Sequence, residues 1–248
     1  MGIPVALQLY SVRDETAKDF AGTLAKVAAI GYKGVEFAGF GGLTAKQARA
    51  ELDKLHLEAA GSHEGWESMQ KDLSAVIAYN VELGNPYIVC PWAPIQDAES
   101  VKKFAALFNS WGEKIQENGM EFCYHNHAHE FAKVGGDYAL DLLFKETDPA
   151  LVEIEFDTCW VTAAGADPVE YIRKYAGRCP LIHLKDMKAG GDKVLTEVGS
   201  GVVNIAGIVK ESDSVGVEWL VVEQDKGERP TLESAKISYD FLKAKGLL

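Results

Sequence analysis

The segment MEFCYHNHAHEF, residues 120–131, joins a short apolar run to a cluster of polar, chemically active side chains. Its first half, residues 120–124, has the length and composition of a buried strand. Apolar runs of the same kind, rich in Val, Ile and Phe, recur along the chain, and their starts lie 24 to 37 residues apart. The predicted strands are residues 5–9, 33–37, 57–61, 86–90, 120–124, 151–156, 180–184 and 217–222. This spacing leaves room for a helix after each strand.

Segments with helical periodicity separate these strands. The first, residues 20–30, has apolar side chains three and four positions apart, as one face of a helix requires. Glycines follow several such segments, where a left-handed helix C-cap belongs; they are Gly31, Gly84, Gly119, Gly177 and Gly246. Asp167-Pro168 predicts a helix start, with a capping carboxylate and a proline in the first turn.

Eight strands, each followed by a helix at a period near 30 residues, predict a (β/α)8 TIM barrel. No linker or low-complexity stretch divides the chain, so the barrel is predicted to be a single domain over residues 1–248. A doubly wound α/β sheet is the alternative. That fold usually has fewer strands and a glycine-rich first turn, whereas the first strand here is followed by Leu9-Tyr10-Ser11-Val12-Arg13.

The charge balance limits the classes of partner. The chain has 25 Lys and Arg against 37 Asp and Glu, a formal net charge of −12. Nucleic acids and anionic membrane surfaces both attract cationic proteins, so neither is an expected partner. A small-molecule sugar substrate is expected instead, and a homo-oligomer stays open.

The N-terminus has no basic leader, and no apolar run reaches the roughly 18 residues of a spanning helix. The four cysteines show no CxxC spacing, which predicts reduced thiols. Both features favour a cytoplasmic location, although a leader removed beforehand would be compatible with them.

Metal-ligand residue types stand at the predicted ends of four successive strands. His125 follows strand 5, Asp157 strand 6 and Glu223 strand 8, while His183 lies in strand 7. Each alone could cap a helix or bond a loop amide. Strand ends of a barrel meet at one mouth, however, so together they predict a site for one divalent metal ion. Mixed imidazole and carboxylate ligands suit Mn, Zn, Co, Ni or Fe better than Ca or Mg, although Mg stays among the candidates.

These residues give the sequence a recognisable pattern. It resembles the sugar phosphate isomerase/epimerase superfamily, the xylose-isomerase-like barrels that also include endonuclease IV. The similarity extends from the first strand to the eighth, and its most specific segments are Tyr124-His125-Asn126-His127 with Glu130-Phe131, Asp157 with Trp160, and His183-Leu184-Lys185-Asp186. The resemblance implies a divalent metal held from strands 5 to 8, with Asp157, His183 and Glu223 at the last three positions.

At the end of strand 5 many members of this superfamily have glutamate, whereas this sequence has His125. His125 is the predicted fourth ligand, and Glu130, reaching back from the loop, is the alternative. In epimerases of this superfamily the strand-5 and strand-8 glutamates are thought to act as a paired acid and base. A histidine at strand 5 therefore puts simple epimerisation in question and keeps elimination open.

Three residues are predicted to be catalytic: His127, Lys185 and Glu223. His127 would act as an acid or base or would support a ligand. Glu155 faces the same side as Asp157 and is expected to be deep and paired, with Lys185 as the suggested partner. Partial desolvation of Lys185 would lower its pKa and make it an acid or base.

Further strand-end residues are predicted to bind substrate, although each is nearly as compatible with loop packing: Tyr10, Glu36, His63, Trp92, Glu130 and Trp160. His56 is expected only to end a helix. The Gly199-Ser200-Gly201 turn precedes a helix and offers N–H groups to a phosphate, but no Arg or Lys stands beside it and a plain turn is favoured.

The predicted function is a metal-dependent isomerase or epimerase of a sugar or keto-sugar that abstracts a proton next to a carbonyl. The alternative is a lyase, dehydratase or glycoside-cleaving enzyme that acts on a 3-keto-sugar through the same enediolate. A DNA endonuclease would need a basic face and a larger metal cluster. The net charge of −12 and the six histidines predict neither. A non-catalytic sugar-binding barrel is a remote alternative.

Overall fold

The computed structural model describes residues 2–190 and 192–248. Eight parallel strands close into a barrel in which the first strand pairs with the second and with the last. They are β1 (Val5–Gln8), β2 (Gly34–Phe37), β3 (Glu58–His63), β4 (Tyr87–Cys90), β5 (Glu121–His125), β6 (Glu153–Asp157), β7 (Leu181–Leu184) and β8 (Trp219–Val222). The predicted TIM barrel is confirmed, with no strand end displaced by more than two residues, and the open-sheet alternative is wrong.

Within residues 2–190 and 192–248, ten α-helices accompany the strands, and the predicted helical segments are confirmed. They are α1 (Arg13–Thr16), α2 (Phe20–Ile30), α3 (Ala45–Leu55), α4 (Trp66–Leu83), α5 (Ala98–Gln116), α6 (Ala139–Glu146), α7 (Thr158–Ala163), α8 (Pro168–Lys174), α9 (Ile205–Val215) and α10 (Thr231–Ala244). The Asp167 carboxylate accepts the N–H of Val169 at 2.8 Å and so caps α8. His56 ends α3, as predicted, and the structure places it in the left-handed region at φ 54°.

The apolar core has two parts, because alternate residues of each strand face opposite sides of the barrel wall. The larger part lies between the strands and the surrounding helices. The smaller part consists of Ala6, Ala60, Tyr87, Val89, Cys123, Leu181, Trp219 and Val221. Its members Cys123, Leu181 and Val221 each stand two residues before a polar residue at a strand end. The alternation thus places the polar residues one layer above an apolar plug.

The loop after β7 is organised by a buried carboxylate. Asp186 accepts the N–H groups of Gly199 and Gly201 through Oδ2 and those of Met187 and Val203 through Oδ1, all at 2.8–3.0 Å. The N–H groups of Gly199 and Gly201 are therefore already bonded to a carboxylate of the protein itself, and that of Ser200 donates to the carbonyl of Glu197. This arrangement agrees with the favoured plain turn.

Two expectations from composition can be compared with the structure. All four cysteines are buried and free, in agreement with the predicted reduced thiols. Among the helices of residues 2–190 and 192–248, none combines the length and the apolarity needed to cross a membrane. A homo-oligomer stays a prediction.

A pair of carboxyl groups at the N-terminal end of the barrel predicts a pH-dependent stability. Burial and a hydrogen bond with Glu121 raise the pKa of Glu153 from 4.5 to about 8. A group whose pKa is raised in the folded state contributes its full stabilisation at pH values below its pKa in the unfolded state. This contribution to the free energy of unfolding is lost as the pH rises through the pKa of the folded state. The Tm should therefore fall between about pH 4.5 and 8, and Glu153→Gln should flatten this slope. The exposed control Glu99→Gln should keep the wild-type slope; a slope unchanged in Glu153→Gln would contradict the assignment.

Candidate functional site

Four buried side chains converge at the C-terminal ends of strands β5 to β8. His125, Asp157, His183 and Glu223 each offer one ligand atom, and these atoms all lie within 4.8 Å of one another. We call these four residues the outer set. His183 Nδ1 lies 2.9 Å from Glu223 Oε2, and His125 Nε2 lies 3.7 Å from Asp157 Oδ2. Two imidazole nitrogens and two carboxylate oxygens at this spacing fit a divalent transition metal.

Local structure directs Asp157 into the outer set. It is the last residue of β6 and also the N-cap of α7, where its Oδ1 accepts the N–H of Trp160 at 3.0 Å. Its own N–H donates to Asn126 Oδ1 at 3.1 Å. With Oδ1 and the backbone fixed in this way, Oδ2 is the oxygen that faces the outer set.

A second group of polar residues lies directly beneath. We call Glu36, His63 and Glu155 the inner set. His63 Nε2 lies 2.8 Å from Glu155 Oε2, and His125 Nδ1 lies 3.0 Å from the same oxygen. Burial and the nearby Glu155 raise the pKa of Glu36 to about 7. The partners of Glu155 are thus imidazoles, and its predicted pairing with Lys185 is wrong, because the Lys185 side chain extends toward Asp157 instead.

Lys185 lies among carboxylates on the outer side. Its Nζ is 2.8 Å from Asp157 Oδ2, 2.6 Å from Glu223 Oε2 and 3.3 Å from Asp225 Oδ2. Burial opposes the charge, but the carboxylates outweigh it and hold the pKa of Lys185 well above its usual value. The predicted fall in this pKa is therefore wrong. The ammonium form of Lys185 is therefore favoured among these carboxylates.

His127 lies next to Trp160, and the ring centroids are 6.0 Å apart in a stacked arrangement. Burial and the charge of Lys185 lower the pKa of His127 to about 3, so the ring is neutral near pH 7. Its buried Nδ1 has no hydrogen-bond partner among the described residues. A neutral imidazole with a free nitrogen can accept a proton from a bound molecule.

Glu130 does not join the outer set. Its carboxylate is fully buried, accepts the Tyr124 hydroxyl at 2.5 Å and accepts the N–H of His127 at 2.9 Å. These bonds hold the loop after β5 in place. Of the two strand-5 candidates, the structure therefore brings His125 to the outer set and keeps Glu130 in the loop, whose contact with substrate stays a prediction.

The other predicted substrate residues occupy two different environments. Tyr10 and Trp92 are 44% and 42% exposed. Glu36 is fully buried and accepts from Gln8 Nε2 at 2.6 Å, and His63 lies above it with little exposure. Contacts of all these residues with a substrate stay predictions.

Sequence reasoning assigned no role to Asp225, although it stands in the site. It lies beside Lys185, and burial together with Glu223 raises its pKa to about 6. With Trp160 it also borders a cavity of about 580 Å³ at the mouth of the barrel. Its position two residues after Glu223 was the available signal, because residues i and i+2 of an extended segment share a face.

Comparisons with known proteins agree with the fold. The family model described as xylose isomerase-like TIM barrel matches residues 24–245. Inosose dehydratase of Clostridium tetani is 28% identical over 176 residues, which is 62% of this chain and 58% of that protein. The chain thus matches less than two thirds of that relative's length.

Solved structures extend the comparison over the whole chain. A sugar phosphate isomerase/epimerase from Parabacteroides distasonis superposes with a TM-score of 0.85 and 28% identity, over 100% of this chain and 96% of that one. The IolI protein, solved with a bound zinc atom, superposes with a TM-score of 0.77 over 99% and 98% of the two chains. At 11% identity that second likeness concerns the fold alone.

Proposed function

Because the chain belongs to the xylose isomerase-like TIM barrel family, we propose that it is a metal-dependent dehydratase of a cyclic keto-sugar or keto-polyol. The observation that carries the proposal is the charged Lys185, which lies 2.6 Å from Glu223 in the outer set. Dehydration needs a proton donor for the departing hydroxyl, and Lys185 is such a donor. The relative named inosose dehydratase supports the same reaction class.

The isomerase or epimerase reading fits this site less well. It relies on a carboxylate pair at strands 5 and 8 that exchanges the proton of one carbon. Here the strand-5 position is His125, whose Nδ1 is engaged by Glu155 at 3.0 Å. With Nδ1 engaged by Glu155 and Nε2 facing Asp157, His125 has no free nitrogen to accept a proton as the partner of Glu223 in such an exchange.

We propose that His125, Asp157, His183 and Glu223 hold one divalent ion, which when bound would polarise the substrate carbonyl. His127 accepts the proton from the carbon next to the carbonyl, and Lys185 donates a proton to the hydroxyl on the following carbon. A C–H bond and a C–O bond break, a C=C bond forms, and water leaves. No oxidant or reductant is required.

The direct test is product analysis in deuterated water. Cyclic ketoses of the inosose type should lose one water in the presence of enzyme and Mn²⁺ or Co²⁺, as followed by NMR, and a chelator should stop the reaction. Asp213→Ala, at an exposed position in α9, is the matched control and should remain active. An epimer formed without loss of water would support the isomerase reading instead.

Metal binding is tested separately from turnover. We expect Asp157→Asn to weaken binding of Zn²⁺ or Mn²⁺ by more than about 100-fold, since loss of a residue that merely supports a ligand costs about 10–100-fold. Isothermal titration of wild type, Asp157→Asn and Asp213→Ala would measure this. Equal affinity in all three would remove Asp157 from the ligand set.

A further inference from the structure

His125 and His183 each connect the outer set to the inner set. One ring nitrogen of each histidine faces a ligand atom of the outer set, and the other nitrogen contacts a buried carboxylate beneath. A neutral imidazole carries one proton, and the partner of one nitrogen decides which nitrogen is free to bind a metal. The inner carboxylates are therefore in a position to select the ligand atoms.

The contacts select different nitrogens on the two rings. For His125, Nδ1 lies 3.0 Å from Glu155 Oε2, and Nε2 is the atom toward Asp157. For His183, Nε2 lies 2.7 Å from Glu36 Oε2, and Nδ1 is the atom toward Glu223. A carboxylate that accepts from a ring N–H leaves the opposite nitrogen bare.

The remaining contacts of the inner set keep the two carboxylates in place. His63 Nε2 contacts both of them, at 2.8 Å from Glu155 and 3.2 Å from Glu36. Gln8 Nε2 donates to Glu36 at 2.6 Å. A Cβ at Gly61 would stand 3.0 Å from Glu36 Oε1, so the glycine leaves room for this carboxylate. The inner set is thus fixed from strands β1, β2, β3 and β6.

We propose that Glu155 and Glu36 are positioning residues that fix opposite tautomers of two metal ligands. Glu155 holds the proton of His125 on Nδ1, and Glu36 holds the proton of His183 on Nε2. The ligand atoms are then His125 Nε2 and His183 Nδ1. The proposal rests on the proposed function for the presence of the ion, but the tautomer of His125 is a property of the protein alone.

The first experiment reads the tautomers directly. Protein with ¹⁵N-labelled histidine is examined by long-range ¹H–¹⁵N NMR, without metal and with one equivalent of diamagnetic Zn²⁺. We expect His125 to carry its proton on Nδ1 in both states, and His183 to carry its proton on Nε2 when Zn²⁺ is bound. The same tautomer on both rings, or a proton on Nε2 of His125, would overturn the proposal.

The second experiment measures Zn²⁺ affinity by competition with a chromophoric chelator. Glu155→Gln and Glu36→Gln should each weaken binding by about 10–100-fold, the usual effect of losing a carboxylate behind a ligating histidine. Glu153→Gln is the matched control, because Glu153 lies on the same strand as Glu155 and contacts neither ring. It should keep wild-type affinity. If a glutamine variant fails to fold, the wild-type tautomers still decide the question.

Two residues of the inner set, His63 and Glu155, could also hold an ion together with His125 and His183, since one ligand atom from each of the four lies within 4.8 Å of the others. His63→Ala distinguishes the two arrangements. It should weaken Zn²⁺ binding less than Asp157→Asn does if the inner set only orients the ligands. Loss of binding in His63→Ala with retention in Asp157→Asn would overturn the proposal. Absence of Zn²⁺ binding in the wild type would contradict the proposed function, while the His125 tautomer would still test the present inference.

Discussion

Lys185→Met is expected to lower kcat by about 10²–10⁴-fold, the usual contribution of a positioned general acid. In the proposed mechanism the ammonium of Lys185 is the proton donor, and it lies 2.8 Å from Asp157 and 2.6 Å from Glu223. Methionine keeps much of the side-chain volume and removes the proton. Steady-state rates with saturating metal and a confirmed keto-substrate measure the effect, with kcat reduced more than KM is raised.

Two further variants separate chemistry from stability. Removing one partner of a buried charge cluster costs about 3–5 kcal/mol, so rates are compared on protein whose folding is verified by circular dichroism. Lys185→Arg retains the charge and should keep the fold while losing activity, because the guanidinium donates from different positions. The exposed Lys188→Met should leave kcat unchanged. Wild-type kcat in Lys185→Met would remove Lys185 from the mechanism.

Asp186→Ala is expected to lower the free energy of unfolding by about 3–5 kcal/mol, a large effect for one substitution. Its carboxylate accepts four backbone N–H groups at 2.8–3.0 Å and is almost fully buried. A buried donor left without an acceptor costs about 1–3 kcal/mol, and some of these amides would regain water through the opened loop. Urea denaturation followed by tryptophan fluorescence would give the difference.

An exposed aspartate provides the control for this prediction. Asp213→Ala should change the free energy of unfolding by no more than about 0.5 kcal/mol, as is usual at the surface. Asp186→Asn should be destabilising as well, because its amide NH₂ would face two N–H donors in place of an acceptor oxygen. A wild-type midpoint for Asp186→Ala would contradict the role assigned to this carboxylate.

The barrel was predictable because its signals are local and repeated. A run such as residues 120–124 needs only a few apolar side chains to indicate a strand, and the period near 30 residues then leaves one main architecture. The convergence of His125, Asp157, His183 and Glu223 followed from topology, since strand ends of a barrel meet at one mouth. His127 and Lys185 were found by the same reasoning.

The partners and charge states of these residues could not be predicted in this way. The alternation of strand residues places Glu155 one layer below Asp157, but it does not say that His63 from β3 will meet it at 2.8 Å. The pKa of Lys185 depends on a balance of burial against three carboxylates from β6 and from the segment after β8. To predict such a pKa, one must know the distances between side chains on strands that are far apart in sequence.

The pairing of β1 with β8 has a consequence for how this protein is made. Val5 is registered with Leu220, and the guanidinium of Arg13 donates to the carbonyl of Asp225 at 2.8 Å, across 212 positions of sequence. During synthesis β1 keeps an unpaired edge until the residues of β8 have been added to the chain. Glu223 and Asp225 directly follow β8, so the candidate site is complete only once β8 pairs with β1 and β7. Long-range pairing of this kind is slow, so the pairing of β1 with β8 is the expected rate-limiting step of folding. Until it occurs, the exposed edge of β1 is the segment that a chaperone would protect.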